Sequence, residues 1–326
     1  MLAYGLMNGL TDIPGIRVGH ASDFDGLTGC TVILCDNGAV AGADVRGSAT
    51  GTVEMGLMEP DHVTDRIHAI VLAGGSAYGL EASSGVRRFL GAKGIGFPTG
   101  VKPVPLVAGA ILFDLGLGKP VWPSREMGEA AAAAATDEPV REGCVGAGAG
   151  CSVGKLFGMA RAMKSGIGSA TVWLDGPYAG IRVAALSAVN AFGDVLDPAT
   201  GRIVAGARES ANGSGFAGSA RHLKQGVRGG FRRQNTTLCV VATNAKLDKV
   251  SVNKLAELAN AGMARAIDPV WTQSDGDVVF ALSTGSETAD LMALGVAAAE
   301  AVSASILRAV RSARTLGGLP GLAGAA

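Results

Sequence analysis

Two spacings of apolar residues alternate along this chain. Short continuous runs of apolar and β-branched residues, bounded by Gly, Pro, Asn or Asp, read as buried strands. They fall at 31–35 (TVILC), 39–45, 69–72 (AIVL), 170–173, 181–189, 238–243 and 278–282, with a short alternating strand at 16–18 after the Pro14-Gly15 turn. Asp36-Asn37-Gly38 carries tight-turn chemistry, so 31–45 is expected to form a hairpin. Helical spacing appears at 80–90, in the alanine-rich 126–136, and most clearly at 252–267, where Leu255, Leu258, Ala259, Met263 and Ala266 share a face. At 286–314 an apolar stripe runs through Leu291, Leu294, Ala298, Val302, Ile306 and Ala309, and Arg308, Arg311 and Arg314 suit a helix C-terminus. Strands interleaved with helices predict an α/β fold.

Composition narrows the class. Hydrophobic residues are 48% of the 326, enough for a sizeable core in one large α/β unit, and only 201–235 resembles a linker. The 50 glycines follow no G-X-Y period and point to tight turns and close backbone approaches. Lys and Arg total 28 against 28 Asp and Glu, leaving a net charge of +0. The one basic cluster, from Arg221 to Arg233, reads as a solvated loop, so nucleic acid is not an expected partner. Five cysteines show no CxxC spacing and are expected to be reduced core thiols of a cytoplasmic protein. The N-terminal residues lack a basic n-region, and the most apolar window, 104–113, is about half a membrane span, so neither signal peptide nor membrane association is expected.

Candidate chemistry centres on 229–243, GGFRRQNTTLCVVAT. Its first half reads as an exposed loop and its second as a buried strand, with Asn235 and Thr236 at the junction. Cutting between them would give Thr236 a free α-amine beside its own hydroxyl, nucleophile and general base in one residue. That amine titrates near about 7.7–8.0, so much of it accepts a proton at neutral pH. The plain alternative is a loop entering a core strand. The segment 201–235 is long and turn-rich, and such loops are functional or disordered.

Other motifs are weaker. Gly74 and Gly79 have P-loop spacing after a strand, but Leu80-Glu81 stand where Lys-Ser/Thr should be. Close helix–strand packing explains these glycines as well, with Tyr78 a candidate pocket-lining residue. The glycines of 143–154 match no dinucleotide template, and two lysines, Lys155 and Lys164, follow them. Asp275-Gly276-Asp277 is the only close carboxylate pair at a loop–strand edge; it can orient an ammonium or act as acid and base, or be an ordinary turn. The four histidines, His20, His62, His68 and His222, have no ligand spacing, so no metal site is expected, and His68 reads as structural.

Taken in order, LTDIPGIRVGH, GADVRGSATGT, VLAGGSAYGLEASSGV, GKLFGMARAMKSGIGSA, NTTLCVVATNA and TQSDGDVVFALSTG resemble the DmpA family, over residues 10–313. That family includes L-aminopeptidase/D-amidase/D-esterases, β-peptidyl aminopeptidases and nylon-oligomer hydrolases. The resemblance implies an αββα four-layer sandwich of the DmpA/ArgJ type, similar in layers to N-terminal-nucleophile hydrolases. It implies a single catalytic domain that cuts itself into 1–235 and 236–326, acts on small peptides or amides without a cofactor, and assembles as a homotetramer of processed pairs. Thr236 matches the nucleophile, Lys164 in KSGIG the family lysine, with Lys155 competing for that assignment. Asn190 matches the asparagine near the oxyanion, and Asp275 and Asp277 match the acidic pair of the nylon-oligomer branch, which also has Thr after Asn. Two other readings stand beside it: a glutamate N-acetyltransferase of the ArgJ side of the fold, and a nucleotide-binding module built on 74–79.

Overall fold

Period-two alternation gives most strands of this chain two apolar faces, and the fold buries both. The computed structural model describes residues 9–228 and 235–324. Among these, nine strands form one curled sheet: β1 (Arg17–Asp23), β2 (Thr28–Val45), β3 (Thr52–Val53), β4 (Arg66–Ala73), β5 (Val107–Ile111), β6 (Ile167–Trp173), β7 (Arg182–Asn190), β8 (Thr236–Ala245) and β9 (Val278–Glu287). Their order is β3-β5-β4-β2-β9-β8-β7-β6, with β1 paired to β2. Four longer helices cover the sheet: α1 (Ala82–Ala92), α2 (Arg125–Ala133), α3 (Lys249–Ala266) and α4 (Leu291–Arg311).

The core shows how the sheet curls. In β8, Cys239 and Val241 pack with α3 and α4, while Leu238, Val240 and Ala242 face the other way. In β4, Ala69 and Val71 pack with Val86 and Leu90 of α1 and Ala131 of α2, while Ile70 and Leu72 face away. Both inward-facing sets meet in one cluster with Phe280 and Leu186. The layers therefore run helix, sheet, sheet, helix, the αββα arrangement. Each large side chain such as Phe280, fully buried here, contributes roughly 1.5–3 kcal/mol relative to exposure.

The strand that links the two halves is β2, and here the hairpin expected over 31–45 is corrected. Its register against β4 shifts between Leu34 and Ala39, but pairing is antiparallel on both sides of the shift. Gly38, at φ 73°, serves a bulge within one long strand rather than a turn between two. The strand passes from one layer to the other there: its outward-facing Val32 and Leu34 pack on α1 and α2, and Val40 on α3 and α4, while Ile33, Cys35, Ala39 and Ala41 stay in the core between the sheets.

Helix ends follow their caps. Asp290 accepts from the N–H groups of Met292 and Ala293, so α4 begins at Leu291, the first residue of its apolar stripe, rather than at the expected 286, and β9 runs on to Glu287. This helix is long and apolar enough to cross a membrane, but its Leu294, Ala298, Val302 and Ile306 lie in the core against α3 and the sheet. It packs closely on α3 because Gly262 lacks a side chain: a Cβ there would lie 2.3 Å from the Ala299 carbonyl oxygen.

Candidate active site

Strand direction alone gathers one end of the sheet. The strands β8 and β9 run parallel, so their first residues lie side by side, and β7, antiparallel to β8, ends beside them. Thr236 pairs with Asn190 across the β8–β7 ladder, and Asn235 bridges to Asp275 across β8–β9. Arg46 and Gly47, just beyond β2, close the end by donating to the Asp277 carbonyl at 3.0 and 3.1 Å. A Cβ on Gly47 would lie 2.2 Å from the Asp277 nitrogen, which accounts for glycine there. Asn190, Asn235, Thr236, Asp275 and Asp277 are all buried.

A backbone pairing delivers the lysine. Gly154, at φ 71°, and Lys155 donate to the carbonyls of Gly193 and Phe192, each at 3.0 Å. This lays the Lys155 side chain along Asn190, where Nζ donates to Oδ1 at 2.6 Å and to the backbone carbonyl at 2.9 Å. The Ser152 N–H also donates to Asn190 Oδ1, at 3.1 Å, and Asn190 Nδ2 donates to the Phe113 carbonyl at 2.9 Å. These donors on Oδ1 fix which way the amide points, and the second N–H of Nδ2 has no partner among the described residues. Burial pushes Lys155 down to about 7, opposed by Cys151, Asp275 and Asp114.

The two lysines divide differently from the expectation that favoured Lys164. Its Nζ donates to the carbonyls of Gly148 (3.0 Å), Cys151 (2.7 Å) and Ser165 (2.8 Å), which uses all three ammonium donors. Lys164 staples the glycine-rich 143–154 segment to the chain around residue 165. The side chain against Asn190 is that of Lys155.

Each member of the acidic pair is held by backbone donors. Asp275 Oδ1 accepts from Phe192 N–H at 3.3 Å, and its Oδ2 accepts from the N–H and hydroxyl of Thr272. Asp277 accepts from Thr237 N–H at 2.6 Å and Trp271 N–H at 3.3 Å. Burial raises both carboxyls, and the neighbouring Asp275 helps push Asp277 up to about 8. The Asn235 carbonyl accepts from Gly276 N–H at 3.0 Å and from the Thr236 hydroxyl.

The raised carboxyl has a consequence for stability. From about pH 4, where an unfolded Asp ionises, up to about 8, the folded chain holds a proton on Asp277 that the unfolded chain has released. The folded state binds more protons, so this group's contribution is lost as pH rises through that window. Below about pH 7 the depressed Lys155 does not oppose it, because lysine is charged in both states there. In an uncut Thr236→Ala background, Asp277→Asn is expected to flatten the decline in urea stability between about pH 5 and 7, by up to roughly 1.4 kcal/mol per pH unit. Parallel curves for the two chains would remove Asp277 as the source.

Other candidates lie apart. Tyr78 is 61% exposed and stacks on Trp122 at 4.6 Å between ring centroids. The N–H groups of Gly74, Gly75 and Ser76 are engaged by the Gly29 carbonyl, by Asp114 Oδ1 at 2.6 Å and by the Leu112 carbonyl, so a carboxylate stands where a phosphate cradle needs free donors. His68 is structural, exchanging hydrogen bonds with Leu106. All five cysteines are free and buried. Beside Lys155 a cleft of about 20 Å³ is lined by Phe113, Asp114, Leu117, Ser152 and Met159. Sequence reasoning missed Ser152, Phe113 and Thr272 because two act through main-chain groups and the third is one Thr among many.

Comparison with known proteins agrees over nearly the whole length. The profile of "Peptidase family S58" matches residues 8–323. An uncharacterized aminopeptidase of Mycobacterium tuberculosis is 36% identical, over 96% of each chain. A 6-aminohexanoate-oligomer endohydrolase of Kocuria sp. is 32% identical, over 92% of this chain and 85% of its own. A Burkholderia sp. beta-aminopeptidase structure superposes with TM-score 0.70 at 25% identity, covering 98% of this chain and 91% of that one. The L-aminopeptidase D-Ala-esterase/amidase of Ochrobactrum anthropi, described as a variant of the Ntn hydrolase fold, superposes with TM-score 0.71 at 18% identity, covering 96% and 88%, and shares the fold.

Proposed function

The chain belongs to peptidase family S58 and is a peptide- or amide-bond hydrolase; from this premise we propose that it cuts itself between Asn235 and Thr236 and then uses Thr236 as nucleophile. The observation that carries this reading is the pairing of Thr236 with Asn190 at one sheet end, beside Asp275, Asp277 and Lys155.

Each group then has a task. The freed α-amine of Thr236 takes the proton of its own hydroxyl, directly or through water, as the oxygen attacks a substrate carbonyl. The remaining N–H of Asn190 donates to the oxyanion, where one such donor is worth roughly 2.7–4 kcal/mol. Lys155 fixes Asn190 in that orientation, and its positive charge lowers the amine's proton affinity. Asp277 holds the start of β8 through Thr237 N–H, and Asp275 holds the turn that faces it. No step requires a cofactor. In the uncut chain Thr236 is 2% exposed, so the same cut that creates the amine must also open the way to substrate.

The aminopeptidase and 6-aminohexanoate-oligomer relatives support small peptides and linear amides as substrates. Those substrate classes offer the natural assay. Incubation with amino-acyl anilides and with linear 6-aminohexanoate oligomers is expected to release free amine and carboxylate, with no acetyl transfer to glutamate. Acetyl transfer without hydrolysis would favour the acyltransferase reading instead.

A further inference from the structure

We propose that the backbone N–H of Gly276 is the oxyanion donor of the self-cutting step, separate from the Asn190 amide that serves turnover. This deepens the processing reading above and rests on it.

The ladder between β8 and β9 supplies the geometry. Leu238 pairs with Val278, and Asn235 bridges to Asp275 in the same register. At Asn235 this register brings Gly276 N–H to the carbonyl oxygen at 3.0 Å. Two residues on, the ladder is replaced: Thr237 N–H goes to the Asp277 side chain at 2.6 Å. The bond to be cut therefore lies where regular pairing gives way to a side chain, with its carbonyl still gripped by a backbone donor. Asn190 is differently committed. Its Oδ1 is taken by Lys155 and Ser152, and its Nδ2 donates to Phe113. The Asn235 carbonyl is not among its partners.

Gly276 also explains its own identity. Its φ lies outside the left-handed region, so the backbone conformation does not demand glycine. A Cβ there would instead lie 2.8 Å from Thr236 Oγ1 and 2.8 Å from the Ala49 carbonyl oxygen. The missing side chain leaves room for the attacking hydroxyl, while the N–H one bond away holds the carbonyl it attacks.

The step balances. Thr236 Oγ1 bonds to the Asn235 carbonyl carbon, and the negative charge that develops on the carbonyl oxygen is stabilised by the Gly276 N–H. The hydroxyl proton ends on the Thr236 nitrogen as the C–N bond breaks, leaving an ester and a free amine. Water hydrolyses the ester, giving the Asn235 carboxylate and restoring the hydroxyl.

Freshly translated full-length chains, followed on denaturing gels, separate the two donors. Asn190→Ala is expected to cut itself within about threefold of the wild-type rate, yet once cut to turn over substrate about 10²–10³-fold more slowly. Gly276→Ala, judged per folded chain by near-UV circular dichroism, is expected to cut at least about tenfold more slowly, because its methyl displaces the hydroxyl. If Asn190→Ala fails to fold, Asn190→Asp keeps the Oδ1 contacts, lacks the N–H, and carries the same expectation. Cutting slowed by Asn190 substitution as much as turnover, or Gly276→Ala cutting at the wild-type rate, overturns the proposal. A wild-type chain that never cuts would overturn the processing reading itself.

Discussion

Thr236→Ala is expected to yield one uncut chain with no measurable amide hydrolysis, a loss of at least about 10⁴-fold against wild type. The size of the effect follows from what the residue carries. Its hydroxyl is the attacking atom in both reactions, and its nitrogen becomes the base only after the first. Removing the oxygen therefore blocks the cut, and blocking the cut withholds the base and the opening to substrate together. The fold should survive, because the buried environment of Thr236 loses only a hydroxyl and one methyl, and the flanking pairs from Thr237↔Val189 to Thr243↔Val183 are untouched. Thr236→Ser keeps the oxygen and should cut and turn over with reduced rates. An Ala variant that still hydrolyses substrate would place the nucleophile elsewhere.

Lys155 and Lys164 should separate by the kind of damage their loss causes. Lys155→Met is expected to keep a folded, soluble chain while turnover falls about 10²–10³-fold, because Asn190 loses the partner that fixes its Oδ1 at 2.6 Å. The loss should appear mainly in kcat, since the group orients an oxyanion donor rather than gripping substrate. Lys164→Met leaves three buried carbonyls without their donor, with Lys164 itself 0% exposed. It is expected to destabilise the chain by about 3–5 kcal/mol, visible as a lower urea midpoint or as insoluble protein. The opposite outcome, a stable but inactive Lys164→Met and an active Lys155→Met, would return the role to Lys164.

Those two lysines show where sequence reading stops. Lys155 follows Gly154 and Lys164 stands two residues before Gly166, both are buried, and nothing in KLFG or KSGIG says which carbonyls wait for each. What decides between them is the pairing of residues 154–155 with 192–193, a contact across distant sequence. The strands were legible for the opposite reason. Runs such as LCVVAT need only their own residues to declare themselves, and the alternation of Cys239 and Val241 with Leu238 and Val240 predicts burial on both faces. The hairpin at 31–45 failed because Asp36-Asn37-Gly38 supplies the same backbone freedom to a bulge as to a turn, and only the partner strand β4 distinguishes them. Asn190 follows the apolar run 181–189, and Thr236 and Asp275 stand just before the runs 238–243 and 278–282, but their adjacency comes from the order β9-β8-β7, which local sequence does not encode.

The central claim is that a threonine at the head of an interior strand becomes the chain's new N-terminus. N-terminal sequencing of the smaller fragment from active protein, with its intact mass, tests this most directly. The account predicts a fragment spanning 236–326 that begins Thr-Thr-Leu-Cys-Val, accompanied by one ending at Asn235. Fully active protein recovered as a single uncut chain, or cut at any other bond, would contradict it.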